Sequence, residues 1–446
     1  MEIINKGSSQ VSAIICPSEL DKNDSFRTSL YCFLTEHNGS FMAKNTFTQE
    51  IVKLSEKQFR ALQKLGQQSC DYDFLCENEL TELAKKRFIV VQELCEADNY
   101  IDTAVVLRLM QKKKNGLATF TILPTTGCNA RCTYCYEQGY KVSHMTDEIA
   151  DKVVEYICST CCDEEITLSW FGGEPLLGRD KITRICEGLA KRGVAFRSKI
   201  ITNASLFDRE LVAHAKKVWN LISAQVSMDG IEKEYTRRKQ YLDPKAHNYE
   251  KVLQAIDELA QQGIRVSLRV NYDKVNLETM QQFIDELEQR FAKYDNVHIY
   301  FYMLFQQQHT SECVDVYKKQ FEFYERNKDK KLLHLGYAKK FKLNFCMADN
   351  LDESIVIDPE GKLFSCEHMP GEHSTWGNVF DGVTSSEKLE KLKALAQPDE
   401  KCRQCPFLPQ CTPFYMHNCP DWFEYCREYN TMKTEFELKY AAEKNK

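Results

Sequence analysis

The sequence lacks any apolar run long enough to span a bilayer, and it opens on the polar stretch MEIINKGSSQ, which has no secretory-signal pattern. Those absences predict a cytoplasmic protein with no membrane partner. Positive charge is not in excess: 59 Lys and Arg stand against 65 Asp and Glu, a formal charge of −6, which argues against a nucleic-acid partner. No internal repeat or low-complexity tract is present. What remains is an ordinary globular chain, 43% hydrophobic and 28% charged, whose 446 residues allow two or three domains with substantial cores.

Cysteine, by contrast, is abundant. Twenty in a long chain without a secretion signal point to metal or redox chemistry rather than to a disulfide framework. Ten of them (Cys16, Cys32, Cys70, Cys76, Cys95, Cys158, Cys161, Cys162, Cys186 and Cys313) are scattered and read mostly as packing residues. Cys128, Cys132 and Cys135 form a C-x3-C-x2-C triplet in TTGCNARCTYCYEQG. Three thiolates on one short loop can hold three irons of a cubic cluster and leave the fourth iron open to a ligand that is not protein. A structural zinc loop is the alternative. A second group, Cys346, Cys366, Cys402, Cys405, Cys411, Cys419 and Cys426, gathers near the C-terminus.

The middle of the chain reads as alternating strands and helices. TFTILPT, ITLSWFGG, FRSKIITNA, LISAQVSMDG, IRVSLRVNY and NVHIYFYML are the predicted strands. Thr146 is placed to cap a helix with an apolar face of Ile149, Val153, Val154 and Ile157. Asn248 precedes another on Val252, Ile256 and Leu259, ended by Gly263. The fold class expected is α/β, a partial (β/α)6 barrel of the TIM type. Gln225, Ser227 and Asp229 alternate with Val226 and Met228, as do Ser267, Arg269 and Asn271 with their apolar neighbours, and His298, Tyr300 and Tyr302 with theirs. Polar faces on neighbouring strands suggest a lumen for a polar ligand; half-exposed strands are the alternative. The expected domains are 1–115, a small mixed module with a hairpin turning at His37–Ser40 and helices near 55–65 and 78–86; 116–340, the barrel; and 341–446, a cysteine-rich domain.

CNARCTYC resembles the signature of radical S-adenosylmethionine (SAM) enzymes, and the match extends to Phe171-Gly172-Gly173-Glu174-Pro175, which looks like that family's GGEP motif. The resemblance implies a [4Fe–4S] cluster on Cys128, Cys132 and Cys135, with SAM on its open iron. It implies that Gly172, Gly173 and Glu174 receive the methionyl ammonium and that Tyr134 lies near the adenine. Asn203, Ser227 and Arg238, with Arg237 as competitor for the last place, would contact the ribose or carboxylate.

The C-terminal cysteines resemble the SPASM domain and imply two auxiliary iron–sulfur clusters. Cys402, Cys405, Cys411 and Cys426 would hold the distal one, and Cys346, Cys366 and Cys419 the nearer. Two departures stand out. The interval from Cys411 to Cys419 is longer than usual, and Lys340 stands where relatives often carry a further ligand. The nearer cluster would then keep an open iron unless Cys313 serves. Glu367 follows Cys366 where sulfatase-maturating relatives have a catalytic Asp, which makes it a candidate base. The first module is similar to winged-helix-like elements that bind leader peptides by strand addition; a structural lid that braces the barrel is the alternative.

The implied function is a maturase of ribosomally made peptides. SAM would be cleaved reductively to a 5′-deoxyadenosyl radical, with hydrogen abstraction from a precursor peptide and oxidation to a thioether or carbon–carbon crosslink. The implied partners are that precursor with its leader and a flavodoxin- or ferredoxin-type electron donor. A formylglycine-generating sulfatase-maturating enzyme and a non-catalytic iron–sulfur peptide-binding protein are the alternatives.

Overall fold

The structure is a computed structural model. It describes residues 1–17, 19–66, 68–111, 116–162, 164–304, 310–333, 335, 351–368, 375–393, 398, 400–410 and 425–444. Two compact units form, and neither is one continuous stretch: Met1–Lys112 groups with Leu335–Phe345 and Leu395–Lys446, and Lys113–His334 groups with Cys346–Ala394. The expected divisions at 115/116 and 340/341 therefore do not map one-to-one onto these units. The segment expected to be one cysteine-rich domain contributes to both.

The first unit holds an antiparallel sheet of β1 (Glu2–Lys6), β3 (Cys32–His37), β4 (Ser40–Asn45) and β5 (Glu50–Leu54), in the order β1-β5-β4-β3, beside a two-stranded pair of β2 (Phe26–Thr28) and β6 (Ile89–Val91). The hairpin between β3 and β4 turns through Asn38 and Gly39, both at positive φ (48° and 73°), the conformation a tight two-residue turn demands. The helix Glu56–Leu65 starts with a capping box between Ser55 and Gln58 and buries Phe59, Leu62 and Leu65. The late helix Cys426–Lys444 packs Leu438, Ala441 and Ala442 on Met42 and Ile51, and its Glu437 makes a buried ion pair with Lys44.

In the second unit the six predicted strands are β7 (Thr119–Ile122), β8 (Ile166–Trp170), β9 (Phe196–Thr202), β10 (Leu221–Met228), β11 (Arg265–Tyr272) and β12 (Val297–Met303). They lie side by side in parallel, and β13 (Ser354–Ile357) extends them beyond β7, also in parallel. Strands β14 (Lys362–Phe364), β15 (Gly377–Asn378) and β16 (Gly382–Val383) continue antiparallel. Among the described residues the sheet stays open between β12 and β16. Thr146 accepts from the Ile149 amide and Asn248 from that of Lys251, as expected of caps. Ala150, Val153, Val154 and Ile157 form the first of these helices' buried face, whereas Ile149 is only partly covered.

Strand alternation follows the sequence. Val226, Met228, Val266, Leu268, Val270, Val297, Ile299 and Phe301 are buried, while Gln225, Ser227, Ser267, Arg269, His298, Tyr300 and Tyr302 are half-buried. Among the described residues no helix is long and apolar enough to cross a membrane.

Candidate active site

The cysteine loop leaves β7 and is fastened by backbone bonds to the end of the helix Glu232–Lys239. The Arg131 amide donates to the carbonyls of Lys239 (3.1 Å) and Gln240 (3.0 Å), and the Thr133 amide to that of Arg238 (3.0 Å). Carbonyls in a helix's last turn have no partner within the helix, so the loop satisfies them. Asn129, inside the triplet, donates to Ser205 Oγ (3.0 Å) and accepts from Asn203 Nδ2 (2.8 Å). Cys128, Cys132 and Cys135 are half-buried and free of disulfides. Burial raises all three thiol pKa values, Cys128 to about 12, while the Lys239 charge opposes the rise.

The GGEP loop lies directly on this cysteine loop. Gly173 N donates to Thr125 O (3.3 Å) and Glu174 N to Gly127 O (2.8 Å). A Cβ on Gly172, whose φ is +113°, would stand 2.2 Å from Thr125 O, and one on Gly173 2.4 Å from Gly127 O. The glycines are therefore needed for backbone to lie against backbone. Glu174 is fully buried and accepts from Thr202 Oγ1 (2.7 Å), Asn203 N (2.8 Å) and Leu176 N (3.2 Å). Burial raises its pKa, against those three bonds and the Lys239 charge. Three donors on a carboxylate leave one acceptor position open.

A second polar network reaches the loop from the strands. Tyr134 OH donates to Asp229 Oδ2 (2.6 Å) and accepts from Lys239 Nζ (3.1 Å), which is itself 3.3 Å from Asp229 Oδ2. Asn271 Nδ2 donates to Asp229 Oδ1 (2.9 Å). Burial opposes the Lys239 charge, yet Asp229, Tyr134 and Cys132 together hold its pKa well above the usual value. Arg238 is buried and donates to Asp273 Oδ1 (2.7 Å), whereas Arg237 is exposed and paired with Glu234 (2.8 Å). Ser227 lies on the lumen face in register with Arg269. The structure thus brings Tyr134 into one network around Asp229, and Glu174 and Asn203 into another. Lys239, Asn129, Thr202 and Ser205 join them without having been singled out in the sequence.

Close to Cys135 in sequence, the Tyr136 ring stacks on His368 with centroids 4.2 Å apart. Glu137 is half-buried near Glu367, and its pKa is pushed up to about 7, chiefly by desolvation. Cys366 is buried, its Sγ 3.8 Å from a Glu367 carboxylate oxygen, and it accepts from His368 N (3.4 Å). In the first unit Cys405 N donates to Cys402 O (3.0 Å), and the Cys405 pKa is raised by burial and by Cys426. Cys313 is buried in the helix Cys313–Arg326. Cys346, Cys411, Cys419 and Lys340 lie outside the described residues. Among the described residues no three His, Cys, Asp or Glu side chains converge as ligands of a single metal ion. A cubic cluster needs no such convergence, since each thiolate binds a different iron.

Residues 122–287 match the model of the Radical SAM superfamily. This region is a radical SAM domain. Such domains use a [4Fe–4S] cluster and SAM, and the donor set fits one: three free thiols on one loop, beside a buried ammonium. Fe-coproporphyrin III synthase of Methanosarcina barkeri is 25% identical over 165 residues, 37% of this chain and 39% of that protein. The chain spans only 39% and 32% of the lengths of the first curated relatives it matches. The radical SAM cyclopropyl synthase TigE of Paramaledivibacter caminithermalis is 20% identical over 384 residues, 77% of this chain and 78% of its own. Among solved structures, anSMEcpe with bound AdoMet and Cp18Cys peptide matches with TM-score 0.56 at 15% identity, over 73% of this chain and 98% of that one. Streptococcus suis SuiB bound to precursor peptide SuiA matches with TM-score 0.51 at 12% identity, over 90% and 100%. At these identities the two structures share its fold.

Proposed function

We propose that this protein is a radical SAM enzyme that modifies a ribosomally made peptide. The observation that carries the reading is the seating of the GGEP loop on the cysteine loop, which fixes a glycine-lined backbone beside three thiols. When bound, the cluster and SAM would supply the 5′-deoxyadenosyl radical for hydrogen abstraction, with an outside flavodoxin- or ferredoxin-type protein as electron source. Cys128, Cys132 and Cys135 would hold that cluster, and Tyr134, Gly172, Gly173, Glu174, Asn203, Ser227 and Arg238 would form the SAM site. Arg238 is the arginine suited to that site, because it is buried and its carbonyl is bonded by the cysteine loop, whereas Arg237 is exposed.

Peptide as substrate is supported by the first unit and by the two solved neighbours carrying peptides. Strand β3 is an edge of its sheet, and Cys32, Phe33 and Leu34 on it line a cavity of about 1060 Å³ together with Arg27 and Arg427. An open edge beside a cavity suits addition of an extended leader strand. SuiB, solved with a precursor peptide, matches 90% of the chain, which supports a precursor peptide as the substrate. Auxiliary clusters would be held by Cys366 with Cys346 and Cys419, and by Cys402, Cys405, Cys411 and Cys426, and would accept the electron released as a thioether or carbon–carbon bond forms.

The test is anaerobic reconstitution followed by reduction with SAM. 5′-Deoxyadenosine is expected from the wild type and not from Cys128→Ala; its absence from the wild type sinks the enzyme reading. With a precursor peptide that the protein accepts, the product should be lighter by two hydrogens. Glu367, beside Cys366, is the proposed base. Glu367→Gln should keep SAM cleavage and lower product by about a hundredfold, and unchanged product removes it from the chemistry.

A further inference from the structure

The polar lumen of the second unit is largely self-paired. Ser267 Oγ bonds His298 Nε2 (2.8 Å), Tyr300 OH bonds Gln225 Oε1 (2.7 Å), and Asn271 bonds Asp229. Arg269 differs. Its guanidinium carbon stands over the Tyr302 ring, 3.9 Å from the centroid, and its Nε donates to Asn271 Oδ1 (3.1 Å). No carboxylate among the described residues pairs with it, and neither Nη1 nor Nη2 has an acceptor among them. It is half-buried, with Ser227 and Tyr300 as its register neighbours on the two flanking strands.

A guanidinium fixed by a ring and by its Nε bond has lost most of its rotamer freedom, yet keeps two parallel donors. That is the arrangement that takes a carboxylate in bidentate fashion. A half-buried charge without a counter-ion is also costly, so a carboxylate ligand supplies what the fold withholds. Arg238, the cation assigned to the SAM site, is already engaged by Asp273, so the two arginines do not duplicate each other.

We propose that Arg269 is a specificity-determining residue that binds a carboxylate of the peptide substrate, an Asp or Glu side chain or the peptide's C-terminus, in the barrel lumen. This rests on the peptide-modifying reading above.

The reconstituted full-length holoprotein, with SAM and under anaerobiosis, is used to select from an mRNA-displayed random peptide library and from free-carboxylate and amidated synthetic pools. Wild type should enrich a consensus with a carboxylate at one fixed position. Changing that Glu to Gln, or amidating that terminus, should weaken binding to the wild type about tenfold, which requires no variant to fold. R269Q should lose selectivity at that position while keeping the rest of the consensus, and R269K should retain part of it. A consensus without a carboxylate, or one unchanged in R269Q, overturns the proposal alone. A matching tenfold loss of SAM affinity in R269Q, by equilibrium dialysis, reassigns the fork to SAM and also overturns it. No consensus from the wild type at all removes the peptide-modifying reading with it.

Discussion

Lys239 closes the run Arg237-Arg238-Lys239, and the three cations have three different surroundings. In sequence they read alike, as positive charge at the end of a helix, which the helix dipole favours. Arg237 stays in solvent, Arg238 turns to Asp273, and Lys239 is buried between Tyr134 and Asp229. Only tertiary placement separates them, so Arg238 could be singled out by resemblance while Lys239 could not be found at all. Lys239→Met leaves Asp229 buried without its cation and should cost about 3 kcal/mol, read as a lower urea midpoint.

A pH effect belongs to the neighbouring pair. Burial works to raise the Asp273 pKa, but the Arg238 bond and charge outweigh it and hold the carboxyl below its ordinary value. A carboxyl lowered in the folded state stabilises above its unfolded pKa, and that stability is lost as pH falls through the folded one. Asp273→Asn should therefore be less stable than the wild type at neutral pH and lose less of its stability on acidification, read by circular dichroism as a shallower fall of the urea midpoint with pH.

Elements with one apolar face were legible, and those without one were not. Strands β10, β11 and β12 alternate polar and apolar, and that pattern gave both their existence and their lumen face. The central strand β5 is nearly continuous in buried residues and has no such period. In the helix Glu96–Gln111 the buried Tyr100, Ala104 and Leu107 are matched by the exposed Val105, Val106, Leu109 and Met110, which blurs the face. The GGEP loop shows the limit of motif reading. Its glycines were expected to let a ligand approach, and they also lie against the cysteine loop's own backbone, a use the motif does not announce. Gly172→Ala, at a positive φ and against Thr125 O, should cost about 2 kcal/mol or more. Reconstituted protein should then bind less iron per chain and show weaker iron–sulfur absorbance than the wild type.

At the scale of the whole chain, the order of residues hides the order of packing. Nothing in the sequence announces that β13 will pair with β7, or that the helix Cys426–Lys444 will cover β3 and β4. Both contacts join apolar surfaces far apart in the chain, and periodicity reports only local faces. Removing residues 426–446 should uncover Met42 and Ile51 and leave Lys44 buried without Glu437. The truncated protein is expected to elute as aggregate on size exclusion, with its apolar dye binding raised.

That closing helix also sets a timetable for synthesis. A ribosome delivers β3 and β4 long before their covering surface, and the counter-ion of Lys44 follows 393 residues after that lysine. Contacts of such sequence separation form late and leave hydrophobic strands open to chaperones meanwhile. The whole run of parallel strands, with its three-cysteine loop, has emerged by then. The unit that holds β3 and β4 can finish folding only after those parallel strands have been made.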